Sequence, residues 1–468
     1  MQHCRTKIVC TLGPASATRD AIRQLVEAGL NVARINFSHG THEQHVATIA
    51  MVREVADALR RPVAILGDLQ GPRIRIGDLN DAIVLEDGSD VHLAPEGQER
   101  DGDLPVTYEA LAQDVHVGDR ILINDGLIEL VVLDIEAPRV TARVLHGGRL
   151  TSHKGINLPG VQVSAPSITD KDREDIAFAV TQDIEYLALS FVRKAEDITE
   201  LRTLVPKEML VVAKIEKDSA LDNIESIIRA TDVVMVARGD LGVELPFEEV
   251  PFAQKRIISL CNRLGRPVIT ATQMLESMIT HPRPTRAEAS DVANAIIDGT
   301  DAVMLSAETA AGQYPRLAVE AMSRIIHEIE RHSHQRLGED RRRRPEAAYS
   351  TEFAIAAASY AAVSMLGAPC LIVFTKSGFS ARVVASQRPQ VPILVLTDSP
   401  RTYRHLALVW GVIPELVAHC DTYDQMVRLA LDAVRRRELA RTGDRVVVTA
   451  GVPFDVPGTT NMIKVETV

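Results

Sequence analysis

The sequence predicts an α/β protein built on a (β/α)8 TIM barrel, with an inserted β-barrel lid domain and a C-terminal α/β domain. Apolar, strand-like runs alternate with amphipathic helices along much of the chain. Short alternating strands interrupt this order after the third unit, and a separate α/β pattern follows a charged linker. The length of 468 residues agrees with three domains, because a domain commonly has ~150 residues.

Eight short runs of apolar and β-branched residues predict the barrel strands. They are Ile8–Leu12, Val32–Phe37, Val63–Leu66, Tyr186–Phe191, Met209–Ile215, Val233–Val236, Pro267–Ala271 and Ala302–Leu305. Apolar residues at three- and four-residue spacing predict the helices that lie between most of them. These are Ala21–Ala28, Glu43–Leu59, Ala195–Leu204, Leu221–Arg229, Phe252–Leu264, Arg286–Ile297 and Pro315–Ile329. Parallel strands that each lead into a helix are typical of a closed barrel with its active site at the C-terminal strand ends.

Glycine and proline mark the start of the interruption, which we place at residues 72–165, so that the barrel comprises residues 1–71 and 166–335. Its predicted strands are Ile83–Leu85, Val91–Leu93, Arg120–Ile123, Leu127–Leu133 and Arg139–Leu145. A β-domain inserted at this point should stand above the barrel mouth as a lid that excludes water.

The third domain is expected at residues 346–468, after a linker that contains Arg341–Arg344. Four arginines in a row could indicate nucleic-acid binding, but an acidic chain with few aromatic residues favours a solvated linker. Beyond it, Ala354–Leu366 predicts a helix, and Cys370–Phe374, Ile393–Leu396 and Val446–Thr449 predict strands.

Composition limits the partners and the compartment. A net charge of −11 argues against general affinity for nucleic acid or anionic membranes. The five cysteines are scattered without the paired spacing of a metal site, which favours a reducing cytoplasm. We expect no membrane span, because no apolar run approaches ~20 residues, and no signal peptide, because Arg5 and Lys7 precede only a short strand.

Charged residues follow two of the predicted strands and indicate chemistry. Lys214 and Glu216 end one strand, and Asp240 follows the next. Two converging carboxylates suit Mg2+, and a lysine beside them suits a phosphate or a developing oxyanion. A structural Lys214–Glu216 salt bridge is an open alternative for that pair. The polar residues expected at the same rim are Arg34, Asn36, Ser38, Asp68, Lys214, Glu216, Asp240, Thr272 and Glu308.

Several motifs resemble those of the pyruvate kinase family, in order and over essentially the whole chain. They are Arg34-Ile35-Asn36-Phe37-Ser38-His39-Gly40, Asp68-Leu69-Gln70-Gly71-Pro72, Ala213-Lys214-Ile215-Glu216, Ala237-Arg238-Gly239-Asp240-Leu241-Gly242, Ala271-Thr272-Gln273-Met274-Leu275, Pro284-Thr285-Arg286-Ala287-Glu288 and Asp301-Ala302-Val303-Met304-Leu305-Ser306. The resemblance implies transfer of the phosphoryl group of phosphoenolpyruvate to ADP, and it implies a homotetramer.

The resemblance also assigns roles at the rim. Glu216 and Asp240 are implied as Mg2+ ligands, and Lys214 and Arg34 as the cations that hold the transferring phosphoryl group. Thr272 is implied near the point of enolate protonation, where a hydroxyl would relay a proton through water. The backbone around Gly239 is expected to receive the substrate carboxylate.

Further positions match family contacts to the nucleotide and to K+. The nucleotide positions are Asn36, Ser38, His39, Arg75 and Lys171. The K+ positions are Asn36, Ser38, Asp68 and Leu69, but family members that need K+ carry glutamate where this chain has Arg73. Because arginine stays protonated, we expect Mg2+ dependence without a K+ requirement.

A strand, a Ser/Gly loop and a helix begin the C-terminal domain, an arrangement that can cradle phosphate. A similar loop in the family binds a phosphorylated activator, so we expect an effector at Thr375, Lys376, Ser377, Gly378 and Ser380. Phe379 and the later loop Gly451–Asn461 depart from the fructose-bisphosphate pattern, which leaves the effector's identity open.

Two other functions compete with a kinase. A barrel lyase or aldolase could use Lys214 as a Schiff-base nucleophile, but that chemistry needs a lowered lysine pKa, and the nearby carboxylates act in the opposite direction. A catalytically inactive scaffold should have lost metal or phosphate ligands, whereas this chain carries all of them.

Overall fold

The computed structural model describes residues 4–332, 350–420, 422–452 and 460–468. The arginine run of the linker and residues 453–459 of the later C-terminal loop lie outside these ranges. Strands and helices are numbered separately in chain order. The first five elements are β1 Lys7–Thr11, α1 Arg19–Ala28, β2 Val32–Asn36, α2 His42–Leu59 and β3 Ala64–Asp68.

The interruption is a curved, mostly antiparallel sheet that nearly closes on itself, with a separate two-stranded sheet beside it. Its elements are β4 Ile74–Arg75, β5 Ile83–Leu85, β6 Asp90–Pro95, β7 Leu104–Val106, α3 Leu111–Asp114, β8 Arg120–Ile123, β9 Ile128–Glu136, β10 Arg139–His146, β11 Gly148–Leu150 and β12 Gly155–Asn157. Seven of these strands run in the order β4-β12-β8-β9-β10-β6-β7, and a bridge between Ile76 and Val106 joins the two ends. Leu93, Ile121 and Leu130 lie in its own apolar core. This is the predicted β-barrel insertion.

The chain then returns to complete the first barrel. The elements are α4 Asp170–Thr181, β13 Tyr186–Leu189, α5 Ala195–Leu204, β14 Leu210–Ile215, α6 Ser219–Asp222, α7 Ile224–Ala230, β15 Val233–Ala237, α8 Arg238–Glu244, α9 Val250–Leu264, β16 Val268–Ala271, α10 Arg286–Asp298, β17 Ala302–Leu305, α11 Ala307–Ala310 and α12 Pro315–His332. The predicted helix Leu221–Arg229 is divided in two at Asn223, the residue between α6 and α7.

Eight parallel strands form a closed barrel in the order β1-β17-β16-β15-β14-β13-β3-β2, which confirms the predicted (β/α)8 fold. The helix α4, between the insertion and β13, is absent from the helices expected from the sequence. Thr169 starts it by accepting a hydrogen bond from the backbone of Asp172, whose carboxylate in turn accepts one from the Thr169 backbone. Such a capping box can start a helix whose apolar face is weakly patterned.

The C-terminal domain is a five-stranded sheet flanked by helices. Its elements are α13 Thr351–Leu366, β18 Leu371–Phe374, α14 Phe379–Ala385, β19 Ile393–Thr397, α15 Pro400–His405, β20 Val412–Leu416, α16 Tyr423–Arg436, β21 Arg445–Ala450 and β22 Met462–Thr467. The strand order is β20-β19-β18-β21-β22, and only β22 runs antiparallel to its neighbour. Strands β20 and β22 were not predicted, because β20 contains Pro414 and β22 is only partly buried.

Helix α15 docks this domain against the end of the barrel opposite the active-site rim. Arg404 Nε lies 2.5 Å from a carboxylate oxygen of the buried Glu185, which precedes β13. The hydroxyl of Tyr186 donates to the backbone carbonyl of His405 at 2.6 Å. Among the described helices, none combines the length and apolar character that crossing a bilayer requires.

Candidate active site

The C-terminal ends of β2, β3 and β14 bring four charged side chains into one network. Arg34 Nε donates to Asp68 Oδ2 at 2.6 Å. Lys214 Nζ lies 3.2 Å from Asp68 Oδ1 and 3.0 Å from Glu216 Oε1. All four side chains are at most 12% exposed. The predicted convergence of Arg34, Asp68, Lys214 and Glu216 on one rim is therefore present in the structure.

These charges set one another's protonation. Burial opposes the charge on Lys214, but Asp68 and then Glu216 more than compensate and raise its pKa. Burial likewise opposes the charge on Asp68, whereas Lys214 and Arg34 lower the pKa of that carboxyl. Lys214 is thus a permanent cation at neutral pH. Because a Schiff-base nucleophile needs a neutral amine, this environment argues against the lyase alternative.

The surroundings of Glu216 disfavour the charged form of its carboxyl group. Burial raises its pKa, the negative charge of Asp240 raises it further, and Lys214 and the backbone N–H of Phe191 act in the opposite direction. Phe191 N donates to Glu216 Oε2 at 2.7 Å. A cation bound by both carboxylates would neutralise the repulsion between Glu216 and Asp240.

Thr11, Ser190 and Phe191 support the network and were not predicted. Thr11 Oγ1 accepts from Arg34 Nη1 at 2.9 Å. Ser190 Oγ accepts from Lys214 at 2.6 Å and donates to the carbonyl of Leu69 at 2.7 Å. Each residue lies at the C-terminal end of a predicted strand, and this position was the only feature of the sequence that could have placed it at the active site. Their neutral side chains or backbone groups gave no chemical indication.

Gly239, the residue before Asp240, packs against the side chain of Thr272. A Cβ atom on Gly239 would stand 2.7 Å from the methyl carbon of Thr272. Only glycine fits there without displacing Thr272. Thr272 itself has φ of +73°, which is unusual for a β-branched residue. Glu308, also predicted at the rim, accepts backbone N–H bonds from Leu275 and Ser306.

The insertion meets the barrel beside Asp240 and leaves a cleft of about 220 Å³ between itself and the barrel. Arg73, Arg75 and Asn157 line it from the insertion side, and Lys217 and Asp240 line it from the barrel. Arg73 Nη2 lies 4.0 Å from Asp240 Oδ1, so its guanidinium faces the site.

A second contact joins the insertion to the barrel at this cleft. Asn157 Nδ2 donates to Glu244 Oε1 at 3.0 Å, and Lys217 Nζ donates to the same oxygen at 2.6 Å. Glu244 belongs to α8, the helix that carries Asp240, and Lys217 directly follows Glu216. The insertion is thereby connected to both elements that carry the paired carboxylates.

The predicted nucleotide and K+ positions are spread over the end of β2 and the loop after it, the end of β3, strand β4 and helix α4. Asn36 Oδ1 accepts from the backbone of Ser38, and His39 is exposed. Lys171 Nζ donates to the carbonyl of Phe37 at 2.9 Å and pairs with Asp175. Leu69 is buried and can offer only backbone atoms.

The predicted effector loop lies in the C-terminal domain, apart from the rim. Gly378 has φ of +78° and its N–H bonds to Thr375 Oγ1 at 3.0 Å. Ser380 is buried, and its hydroxyl bonds to that of Thr460 at 2.5 Å. Thr402 of α15 donates to the carbonyl of Lys376, while Ser377 is exposed.

Within the described ranges, no group of three or more histidine, cysteine, aspartate or glutamate side chains forms a metal site. Glu216 and Asp240 are only two carboxylates, which agrees with Mg2+, since that ion is commonly held by one or two carboxylates together with water and substrate phosphates.

The closed barrel, with cations and paired carboxylates at its C-terminal strand ends, fits an enzyme that transfers a phosphoryl group, a phosphotransferase. Comparison with known families gives a match to the pyruvate kinase barrel domain over residues 3–319 and to the pyruvate kinase alpha/beta domain over residues 353–466. The chain belongs to the pyruvate kinase family.

Curated relatives agree over nearly the whole chain. Pyruvate kinase of Geobacillus stearothermophilus is 48% identical over 472 residues, which are 99% of this chain and 80% of the relative. Pyruvate kinase of Staphylococcus haemolyticus is 45% identical, with the same coverage. Pyruvate kinase 2 of Synechocystis is 46% identical over 477 residues, covering 99% of this chain and 79% of the relative.

Proposed function

We propose that this enzyme transfers the phosphoryl group of phosphoenolpyruvate to ADP and thereby forms pyruvate and ATP. The observation that carries the proposal is the rim network, in which Arg34 and Lys214 are fixed by Asp68 beside the Glu216–Asp240 pair. A coupled assay with phosphoenolpyruvate, ADP and Mg2+ tests it. A folded protein without turnover at saturating substrates would contradict it.

The reaction breaks the bond between phosphorus and the enol oxygen and forms a bond from phosphorus to a β-phosphate oxygen of ADP. The enolate left behind takes up one proton at its methylene carbon and becomes pyruvate. Phosphoryl transfer depends mainly on positioning and charge neutralisation. Lys214 and Arg34 would bind the transferring group from two sides, and Asp68 orients both cations.

Glu216 and Asp240 would hold Mg2+. Their hard oxygen atoms fit a small divalent cation, which would also relieve the repulsion between the two carboxylates. When bound, Mg2+ supplies positive charge that polarises the phosphoryl and enolate oxygens.

Thr272 and the backbone at Gly239 would serve the substrate's other end. The absence of a side chain at Gly239 lets a carboxylate approach the N–H groups at the start of α8. Thr272 would relay a proton to the enolate through water, because a hydroxyl with an ordinary pKa is a weak acid by itself.

The nucleotide is proposed to lie between the loop after β2 and the insertion. Its contacts would be Asn36, Ser38, His39, Arg75 and Lys171. Arg75 lines the cleft, and Lys171 is anchored by Phe37 and Asp175 with its ammonium beside that loop. Charged donors that are fixed in advance lose little entropy when they bind a phosphate.

We further propose that K+ is not required. Both oxygens of Asp68 face the cations Arg34 and Lys214, and the Leu69 carbonyl accepts from Ser190, so two of the matched K+ positions are engaged within the protein. Arg73 brings a fixed positive charge close to Asp240. Asn36 and Ser38 then remain at most weak K+ ligands.

Regulation by a phosphorylated effector is proposed at the loop that comprises Thr375, Lys376, Ser377, Gly378 and Ser380. The left-handed Gly378 at the start of α14 supports a phosphate cradle, while the engaged hydroxyl of Ser380 does not. Coupling between two sites typically changes affinity by ~1–3 kcal/mol. A panel of sugar phosphates and nucleoside monophosphates should contain one that shifts substrate saturation, and a Ser377→Glu variant should lose that response.

Three coarser features complete the proposal. The domain division at residues 72–165 and 346–468 follows the separate apolar cores of the insertion and the C-terminal sheet.

A homotetramer agrees with the highly exposed Phe247, Phe252 and Met365, and light scattering that gives a monomer mass would contradict it. A cytoplasmic location is proposed from the cysteine spacing, because the five cysteines are scattered along the sequence without a paired pattern.

A further inference from the structure

We propose that Arg238 is a positioning residue for the reaction and that it acts through Thr272. Arg238 begins α8, directly before Gly239 and Asp240, and its side chain turns toward the segment after β16. Its Nη2 donates to the Thr272 carbonyl at 2.7 Å, and its Nε donates to the Ala271 carbonyl at 3.3 Å. The inference rests on the proposed role of Thr272 in protonating the enolate.

The segment that Arg238 holds is in an unfavourable backbone conformation. Thr272 has φ of +73° and Gln273 has φ of +53°. Left-handed conformations of this kind are costly for a β-branched residue, and they persist only where surrounding contacts enforce them. Two consecutive residues here need such contacts.

Two charged side chains, Arg238 and Glu308, hold this segment. Arg238 binds its beginning through the Ala271 and Thr272 carbonyls. Three residues beyond Thr272, the N–H of Leu275 donates to the buried carboxylate of Glu308 at 3.1 Å. Thr272 is bound by Arg238 through its own carbonyl, so releasing Arg238 would let the strained backbone at Thr272 relax.

Arg238 is itself held in place from its other side. Its Nη1 lies 2.7 Å from Asp291 Oδ2 on α10, and its side chain is 12% exposed. The planar guanidinium can bind a carboxylate and two backbone carbonyls at once, whereas a lysine ammonium cannot reproduce that fork. A simple surface salt bridge could be made by lysine as well as by arginine. The three contacts of Arg238 require arginine.

Displacing Thr272 should affect the proton step more than phosphoryl transfer. Phosphoryl transfer depends on Lys214, Arg34 and the carboxylate pair, whose described hydrogen bonds and ion pairs are made with residues outside the segment 271–275. A misplaced catalytic group loses about 10²-fold for a displacement on the order of 1 Å. We therefore expect a substitution at Arg238 to lower the rate of proton exchange much more than the rate of phosphoryl transfer.

The test begins with Arg238→Lys, and Arg229→Lys is the control because Arg229 forms an exposed salt bridge on α7. Circular dichroism and thermal unfolding verify folding. If Arg238→Lys does not fold, Asp291→Asn loosens the same guanidinium from a partly exposed position. Two rates are measured: exchange of the pyruvate methyl protons with deuterated solvent, and ATP formation in a single turnover. We expect about 10²-fold slower exchange, less than about tenfold slower ATP formation, and no change in the control.

A double-mutant cycle then separates positioning from a general structural role. If Arg238 acts through Thr272, Arg238→Lys should slow exchange by less than about twofold in a Thr272→Ala background. Losses that multiply, or equal losses in both rates, would overturn the inference. Exchange that is unimpaired in Thr272→Ala would overturn both the inference and the proton role of Thr272. A wild-type enzyme that forms no ATP would contradict the proposed function itself.

Discussion

Replacing Arg73 by glutamate should create a requirement for K+. In the structure the Arg73 guanidinium lies 4.0 Å from a carboxylate oxygen of Asp240, and the two side chains are 43% and 33% exposed. Two unit charges at this separation interact by ~1 kcal/mol in water, and the exposure of both groups keeps the value near that limit. Reversing the sign of one charge therefore changes the electrostatic energy at Asp240 by about 2 kcal/mol, which corresponds to about thirtyfold in an equilibrium constant.

The assay is turnover in tetramethylammonium buffer, with and without K+, at constant ionic strength. The wild type should be active without K+, and Arg73→Glu should be stimulated by K+ by about ten- to thirtyfold. Arg149→Glu is the matched control, because it makes the same charge change on an exposed residue of the insertion that does not line the cleft. A large K+ stimulation of the wild type, or none of Arg73→Glu, would refute the reasoning.

Three further predictions concern the network, the insertion and the domain junction. Lys214→Met should lower the turnover number by about 10²–10³-fold and spare proton exchange of pyruvate, while the exposed Lys255→Met should change neither; unchanged turnover would make Lys214 purely structural. Asn157→Ala removes the hydrogen bond to Glu244 and should raise the KM for phosphoenolpyruvate about fivefold, because such a bond contributes ~1 kcal/mol; an equal KM would show that this contact does not hold the insertion closed. Burial first, and then neighbouring arginines, lower the pKa of His405 from 6.5 to about 3. As the pH falls, the unfolded chain therefore binds a proton at this residue before the folded protein does, and the free energy of unfolding decreases below about pH 6.5. At pH 5 this group should cost about 2 kcal/mol, and the urea midpoint of His405→Gln should drop less between pH 7 and pH 5 than that of the wild type.

The barrel could be predicted because its pattern is local. Each buried parallel strand is a short apolar run, and each helix repeats its apolar residues every three or four positions. The insertion was also predictable, since glycine and proline mark its start. Helix α4 was not predicted, because its apolar face is weak and a capping box starts it. The short strands β4, β7, β11 and β12 have only two or three residues each, too few for a periodic signal.

The charged residues at the rim could be predicted for a related reason. In a parallel barrel all C-terminal strand ends meet at one face, so Arg34, Asp68, Lys214 and Glu216 had to lie together once the strands were assigned. Chemical type then separated them from packing residues. The positions proposed for the nucleotide, for K+ and for the effector depend on the family resemblance and stay predictions.

By itself, the sequence determined the fold class, the family and the charges at the barrel mouth, because these depend on local periodicity and on residue chemistry. Only the tertiary structure decided which side chains bond to the charged residues of the rim and which backbone segments are held in an unfavourable conformation. Ser190 and Thr11 have no ionisable group, and Arg238 resembles any arginine near a strand end. Their roles arise from contacts such as Ser190 with Lys214 and Arg238 with Thr272. Such contacts join residues that are tens of positions apart in the chain, and only the closed barrel brings those residues within hydrogen-bonding distance.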